Sequence, residues 1–198
     1  MIRFCLILVV AALQACVTSP PSNVADVCSI FEEKSDWYDS TLAAYKRWGA
    51  PIHVQMAIIN QESSFVGDAQ PDHVRFLGIP LWWRPTSAYG YTQAVDMTWN
   101  DYIKMTGNYG ADRDDFADAA DFVGWYMKHT TLSLGISGSD AYRQYLAYHE
   151  GRRGYQRGHW KSKPALVKAA RHVATFADRY KKQLRRCQST LASGEEDD

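Results

Sequence analysis

An all-helical domain is the architecture this sequence predicts, and three observations carry that expectation. Apolar residues recur in steps of three and four along most of the chain, no stretch sustains the alternation of a half-buried strand, and Pro and Gly stand where helices would begin and end. The composition agrees: 46% apolar and 22% charged residues over 198 positions describe a globular chain with ample length for a core. The expected helices cover about 24–47, 51–63, 94–105, 114–132, 139–149 and 164–187.

Ahead of the first helix, Arg3 precedes an apolar run from Phe4 to Leu13. Such a run falls well short of the ~20 residues that span a bilayer and reads as a secretory signal over 1–15. It ends Leu13-Gln14-Ala15-Cys16, which resembles a bacterial lipobox, so residues 16–23 are expected to be a lipidated Cys16 and a Pro-containing tether. Val17 after that cysteine implies, by the same resemblance, the periplasmic face of the outer membrane. A plain signal peptide with a chance cysteine is the alternative.

The first helix carries the stripe Val24, Cys28, Phe31, Ser35, Tyr38, Leu42, Tyr45. The last carries Leu166, Ala170, Val173, Ala177, Tyr180, Leu184, Cys187. Each cysteine therefore lies on a core-facing stripe, and in an oxidising compartment Cys28 and Cys187 form an even pair able to fasten the two helices together. Two inert buried thiols are the other reading.

The second helix opens at Pro51 and places Val54, Ile58 and Glu62 on one face, with Phe65 three positions on. A carboxyl on that stripe is desolvated, its pKa rises, and it becomes able to donate a proton near neutral pH. A Glu that caps a neighbour or reaches water at a helix end fits the same spacing. Between the second and third helices, Val66 to Tyr91 is a long irregular segment rich in Pro, Gly and aromatics, the kind of loop that is functional or has structure of its own. Trp82 and Trp83 stand in it, suited equally to the wall of a groove or to the packing of a flap.

Three short motifs fall in order along the helices. Ala57-Ile58-Ile59-Asn60-Gln61-Glu62-Ser63 resembles the catalytic Glu-Ser helix end of soluble (Slt) type lytic transglycosylases, relatives of goose-type lysozyme. Ser87-Ala88-Tyr89-Gly90-Tyr91-Thr92-Gln93 resembles that family's second motif, followed by Thr98-Trp99, and Ala147-Tyr148-His149-Glu150-Gly151 resembles its Ala-Tyr-Asn-x-Gly. The resemblance implies a lysozyme-like helical fold over 24–188 with the long loop at its cleft. It implies cleavage of peptidoglycan glycan strands at the MurNAc-GlcNAc β-1,4 bond, with release of 1,6-anhydroMurNAc. Glu62 would act as acid and then base, Gln93 would contact the N-acetyl region, Tyr148 would orient Glu62, and Ser87, Tyr89, Tyr91 and His149 would line the substrate site.

The chain departs from the family pattern in two places. Glu62 and Gln93 stand 31 positions apart, a longer interval than usual, and His149 replaces the usual Asn. His149 is read either as a structural histidine or as a group titrating near neutral pH. A goose-type-like muramidase would need a second carboxylate to activate water; Asp68, Asp72 and Asp96 are candidates, and Asp96 also reads as a first-turn residue of the helix bearing Trp99. A non-catalytic peptidoglycan-binding lipoprotein would keep the groove without a competent acid.

Charge completes the reading. The formal net charge is zero, yet 12 Lys or Arg and a single acid, Asp178, lie between Arg152 and Arg186. This stretch is either a solvated helix face or a cationic surface for the carboxylates of peptide stems. Arg152, Arg153 and Arg157, directly after the third motif, are the nearer candidates for substrate contact. The overall balance together with export argues against a nucleic-acid partner, leaving peptidoglycan and possible envelope machinery as expected partners. No His-Glu-x-x-His or Cys-x-x-Cys occurs, so neither metal nor cofactor is expected. Residues 189–198 read as an acidic disordered tail.

Overall fold

The computed structural model describes residues 19–73, 75–76, 79–80 and 84–193. Among the described residues there are seven α-helices, one minimal hairpin and a 3₁₀ turn at His159–Ser162: α1 (Val27–Glu33), α2 (Ser35–Trp48), α3 (Ile52–Ser63), β1 (Arg75–Phe76), β2 (Ile79–Pro80), α4 (Asp96–Thr106), α5 (Phe116–Leu134), α6 (Ala141–Gln156) and α7 (Pro164–Ser193). The all-helical expectation holds. The long segment after α3 contains the antiparallel β1–β2 pair, with Arg75 opposite Pro80 and Phe76 opposite Ile79. Cys16 and the expected signal stretch, Trp82, Trp83 and the last residues from 194 lie outside the described residues.

The single helix expected over 24–47 is two helices. Asp26 caps α1 by accepting from the N–H groups of Cys28 and Ser29. The chain then leaves helical geometry at Lys34. On one straight helix Phe31 and Trp37 would point about 120° apart at 100° per residue. The break at Lys34 lets Ile30, Phe31, Trp37 and Tyr38 all reach the core, where Phe31 meets Tyr38 edge-on at 5.4 Å and Trp37 stacks flat on Phe116 at 3.8 Å. Tyr45, expected on the core stripe, is 48% exposed.

At the centre lies α3. Val54 through Asn60 are buried without interruption, because α7 covers one side of the helix and α2, α5 and α6 close the others. α2 packs along α5, and α6 bridges α5 and α7. Cys28 and Cys187 form a disulfide, fastening α1 to α7 across a sequence separation of 159. α7 continues beyond the expected boundary at 188 to Ser193, because the stripe has one more member, Leu191, which packs on the core.

Candidate active site

Burial of α3 on every side decides the surroundings of Glu62, which sits in its last turn. The chain stops abruptly after it: Ser64 and Phe65 both take left-handed backbone, with φ of 52° and 62°. Non-glycine residues accept such strain when the surrounding packing demands it, and here Phe65 is driven fully into the core. Glu62 is thereby held at the floor of a cleft of about 560 Å³, lined also by Gln93, Thr98, Phe122, Tyr126, Tyr148, His149 and Glu150. Its Oε1 is shielded from solvent with no hydrogen-bond partner among the described residues. Desolvation pushes its pKa up to about 7, against the pull of a hydrogen bond from Tyr145.

The hydroxyl engaged with Glu62 therefore belongs to Tyr145. Tyr148, expected to orient the acid, instead donates to the Thr92 carbonyl at 2.7 Å, tying the third motif to the second. Tyr145 lies one helical turn before Tyr148 on α6, so the i−3 spacing was the available signal for it.

The second motif forms a tight loop. Gly90 has a φ of 78°, and a Cβ there would come within 2.1 Å of the Arg113 carbonyl oxygen, so only glycine permits this approach. Gln93, also left-handed with a φ of 50°, donates both amide hydrogens within the loop, to Ala69 O at 2.8 Å and Gly90 O at 2.9 Å. What remains to meet a ligand is its Oε1 acceptor. The other residues expected to line the site do different work. Ser87 accepts from Asp96 N–H at 3.0 Å and so ends the N-terminus of α4. Tyr89 donates to Asp114 at 2.8 Å. Tyr91 is fully buried against Trp37 and Phe116 and belongs to the core. Its neighbours in sequence had made it look like a cleft residue; the turn at Gly90 points it inward.

Arg113 was not singled out from the sequence, and it organises this loop. It donates to the carbonyls of Ser87 at 3.0 Å and Ala94 at 2.9 Å, pairs with Asp96 at 2.9 Å, and lies over the Tyr89 ring. Asp96 is thus the first residue of α4, held by Arg113 and outside the cleft lining. Asp68 and Asp72 are exposed and do not line it either.

The second carboxyl at the cleft is Glu150. Burial would raise its pKa, but Lys163 at 2.7 Å and His149 at 3.4 Å outweigh that and leave it lowered. It is an ionised, occupied carboxylate. His149 is half exposed at the cleft edge. Just beyond, Gly151 adopts a φ of 71° and kinks α6, which then resumes through Arg152 and Arg153 to Gln156, past the end expected at 149. Arg152 lies 4.8 Å over the Tyr126 ring, while Arg153 and Arg157 are exposed and do not line the cleft. Tyr126 and Phe122 come from α5, which carries none of the three motifs; nothing local in the sequence marks them.

The family model described as the transglycosylase SLT domain matches residues 4–187. No curated protein and no solved structure matches the chain.

Proposed function

The chain belongs to the transglycosylase SLT domain family, and we propose that it cleaves the MurNAc-GlcNAc β-1,4 bond of peptidoglycan by an intramolecular route with Glu62 as its acid and base. One observation carries this reading: a carboxyl enclosed at the floor of the cleft, with its pKa pushed to about 7 by desolvation. At neutral pH such a group is substantially protonated yet able to ionise, as one residue serving both roles requires.

Glu62 gives its proton to the glycosidic oxygen, the C1–O bond of MurNAc breaks, and GlcNAc leaves with a 4-hydroxyl. The Glu62 carboxylate then takes the proton of the MurNAc 6-hydroxyl, whose oxygen bonds to C1 and closes the 1,6-anhydro ring. Glu62 ends protonated, ready for another cycle. The nucleophile is part of the same sugar, so its effective molarity is very large and no protein-bound water is consumed. Gln93 Oε1 is suited to accept from the N-acetyl N–H, and the buried rings of Tyr126 and Phe122 back the cleft wall.

Hydrolysis by inversion needs a free carboxylate set opposite the acid. Asp96 is paired with Arg113, and Glu150 is paired with Lys163 and His149, so neither offers an unoccupied base. This supports ring closure over hydrolysis. Export and acylation at Cys16, with the domain tethered at the periplasmic face of the outer membrane, belong to the same proposal and rest on the lipobox resemblance. Digestion of purified sacculi by wild type and Glu62→Gln, with products identified by mass, tests the mechanism. Anhydro-ended muropeptides from wild type and none from the variant are expected; reducing ends would give the hydrolase, and equal activity in both proteins would remove Glu62 from the chemistry.

A further inference from the structure

The cationic stretch that the cleft does not use is one face of α7. Lys168, Arg171, Thr175, Arg179, Lys182 and Arg186 follow one another in steps of three and four and are all exposed. They run opposite the buried stripe Leu166, Ala170, Val173, Ala177, Tyr180 and Leu184. Asp178 is the one acid in Pro164–Ser193, against seven Lys or Arg. Along the second half of the helix Thr175, Asp178, Arg179, Lys182, Gln183 and Arg186 line an open groove of about 640 Å³. Among the described residues no helix is long and apolar enough to cross a membrane, and this exposed face is open to a ligand from outside the domain.

The place where the N-terminal segment joins the domain says what that is. Tyr180 donates to the Val24 carbonyl, Gln183 donates to the Ala25 carbonyl at 3.1 Å and accepts from Val27 N–H at 3.0 Å, and Cys187 is bonded to Cys28. The chain is thereby pinned to α7 among Arg179, Lys182 and Arg186. Cys16 is eight residues before Val24, so a lipid on it can lie no more than about 29 Å from that point.

We propose that the outer face of α7 is a docking surface for anionic phospholipid headgroups, laid against the membrane beside the lipid anchor. The proposal rests on the reading of Cys16 as acylated. A tether this short makes the electrostatic contact intramolecular, at high effective concentration. Acyl chains and a polybasic patch are the paired signals by which peripheral proteins hold to a membrane. Engagement with an anionic surface at about 1 kcal/mol favours the bound lysine about fivefold over the free one. The start of α7 stands beside the cleft: Lys163, just before Pro164, pairs with the cleft residue Glu150 at 2.7 Å, and His149 also lines a separate pocket with Pro164, Leu166 and Ala169. About 23 residues of helix separate Pro164 from Cys187, roughly 35 Å, so the anchored end and the glycan cleft lie at different ends of one rigid rod.

The test uses the full mature chain on vesicles and a water-soluble lysine-acylating reagent, read by peptide mass. On vesicles containing phosphatidylglycerol, Lys168 and Lys182 are expected to label about fivefold more slowly than on phosphatidylcholine alone. Lys46, Lys104 and Lys128 are exposed on other faces and should label equally on both. High salt should abolish the protection, and in Arg179→Gln/Arg186→Gln protection of Lys182 should be lost while sacculus cleavage is kept. Equal labelling on both vesicles overturns the proposal. So does protection by purified sacculi with none on anionic vesicles, which would assign the stripe to peptide-stem carboxylates. Intact mass of the same sample reads the anchor separately: a chain without acyl groups removes the anchor, and its sedimentation with anionic but not neutral vesicles then decides the stripe alone.

Discussion

Replacing Glu62 with Gln is expected to stabilise the protein, and by an amount that grows with pH. The carboxyl has a folded pKa of about 7 against 4.5 for an unperturbed Glu, because burial disfavours its charge more than Tyr145 favours it. Below pH 4.5 the carboxyl is protonated in both folded and unfolded chains, and ionisation makes no difference. Between pH 4.5 and 7 the unfolded chain releases this proton and the folded chain keeps it, so stability falls as pH rises. Above 7 both forms are ionised and the loss levels off. A shift of about 2.5 units at 1.36 kcal/mol each makes the full loss about 3 kcal/mol. Gln has the same shape and no charge to desolvate, so the stability difference between variant and wild type should widen by about 3 kcal/mol from pH 4.5 to 8. Urea unfolding of both proteins at several pH values, with the disulfide intact, measures it. A difference that stays constant across this range would refute the claim that Glu62 is held in a desolvating site, and with it the main support for its role as an acid.

Three further outcomes follow from the contacts around the site. Tyr145→Phe removes the one hydrogen bond that lowers the Glu62 pKa. The alkaline limb of kcat/KM should move upward by about one pH unit, whereas Tyr148→Phe, whose hydroxyl serves Thr92, should leave the limb in place. Arg113→Met loses the Asp96 pair and two carbonyl contacts, which should cost about 1–3 kcal/mol and speed amide exchange across Gly90–Gln93 measured by mass spectrometry. Replacing Cys28 and Cys187 together with Ser opens a closure spanning 159 positions. In the chain-entropy model its loss costs up to about 5 kcal/mol, readable as a lower denaturation midpoint with little change in kcat at low temperature.

Part of what lines the cleft was legible because its signals are local. Glu62 was marked by a charged residue on an apolar stripe, and the disulfide by two cysteines on the buried stripes of the first and last helices. Gln93 and His149 were named in short motifs, and both line the cleft. Residues that act through distant partners were not legible. Arg113 reaches Ser87 and Ala94, which it meets only after the α4–α5 turn brings them together. Glu150 stood inside a quoted motif, but its pairing with Lys163 requires the chain to pass through the 3₁₀ turn at His159–Ser162 first. Tyr91 was misplaced for the converse reason: adjacency to a cleft motif says nothing about which way a left-handed Gly90 turns the next side chain.

Periodicity by itself determined the helical class, because a helix buries one stripe and that stripe is written in the order of residues. Motif order by itself pointed to Glu62 and to the family. The tertiary structure decided how charged the acid is, since the pKa of Glu62 depends on what packs around α3 from α5, α6 and α7, each distant in sequence. It also decided that the stripe of α1 and α2 breaks at Lys34, because Trp37 has a better partner in Phe116 than a straight helix could offer. Local spacing fixes which side chains share a face; only the assembled core decides what that face meets, and a carboxyl's proton affinity is set by what it meets.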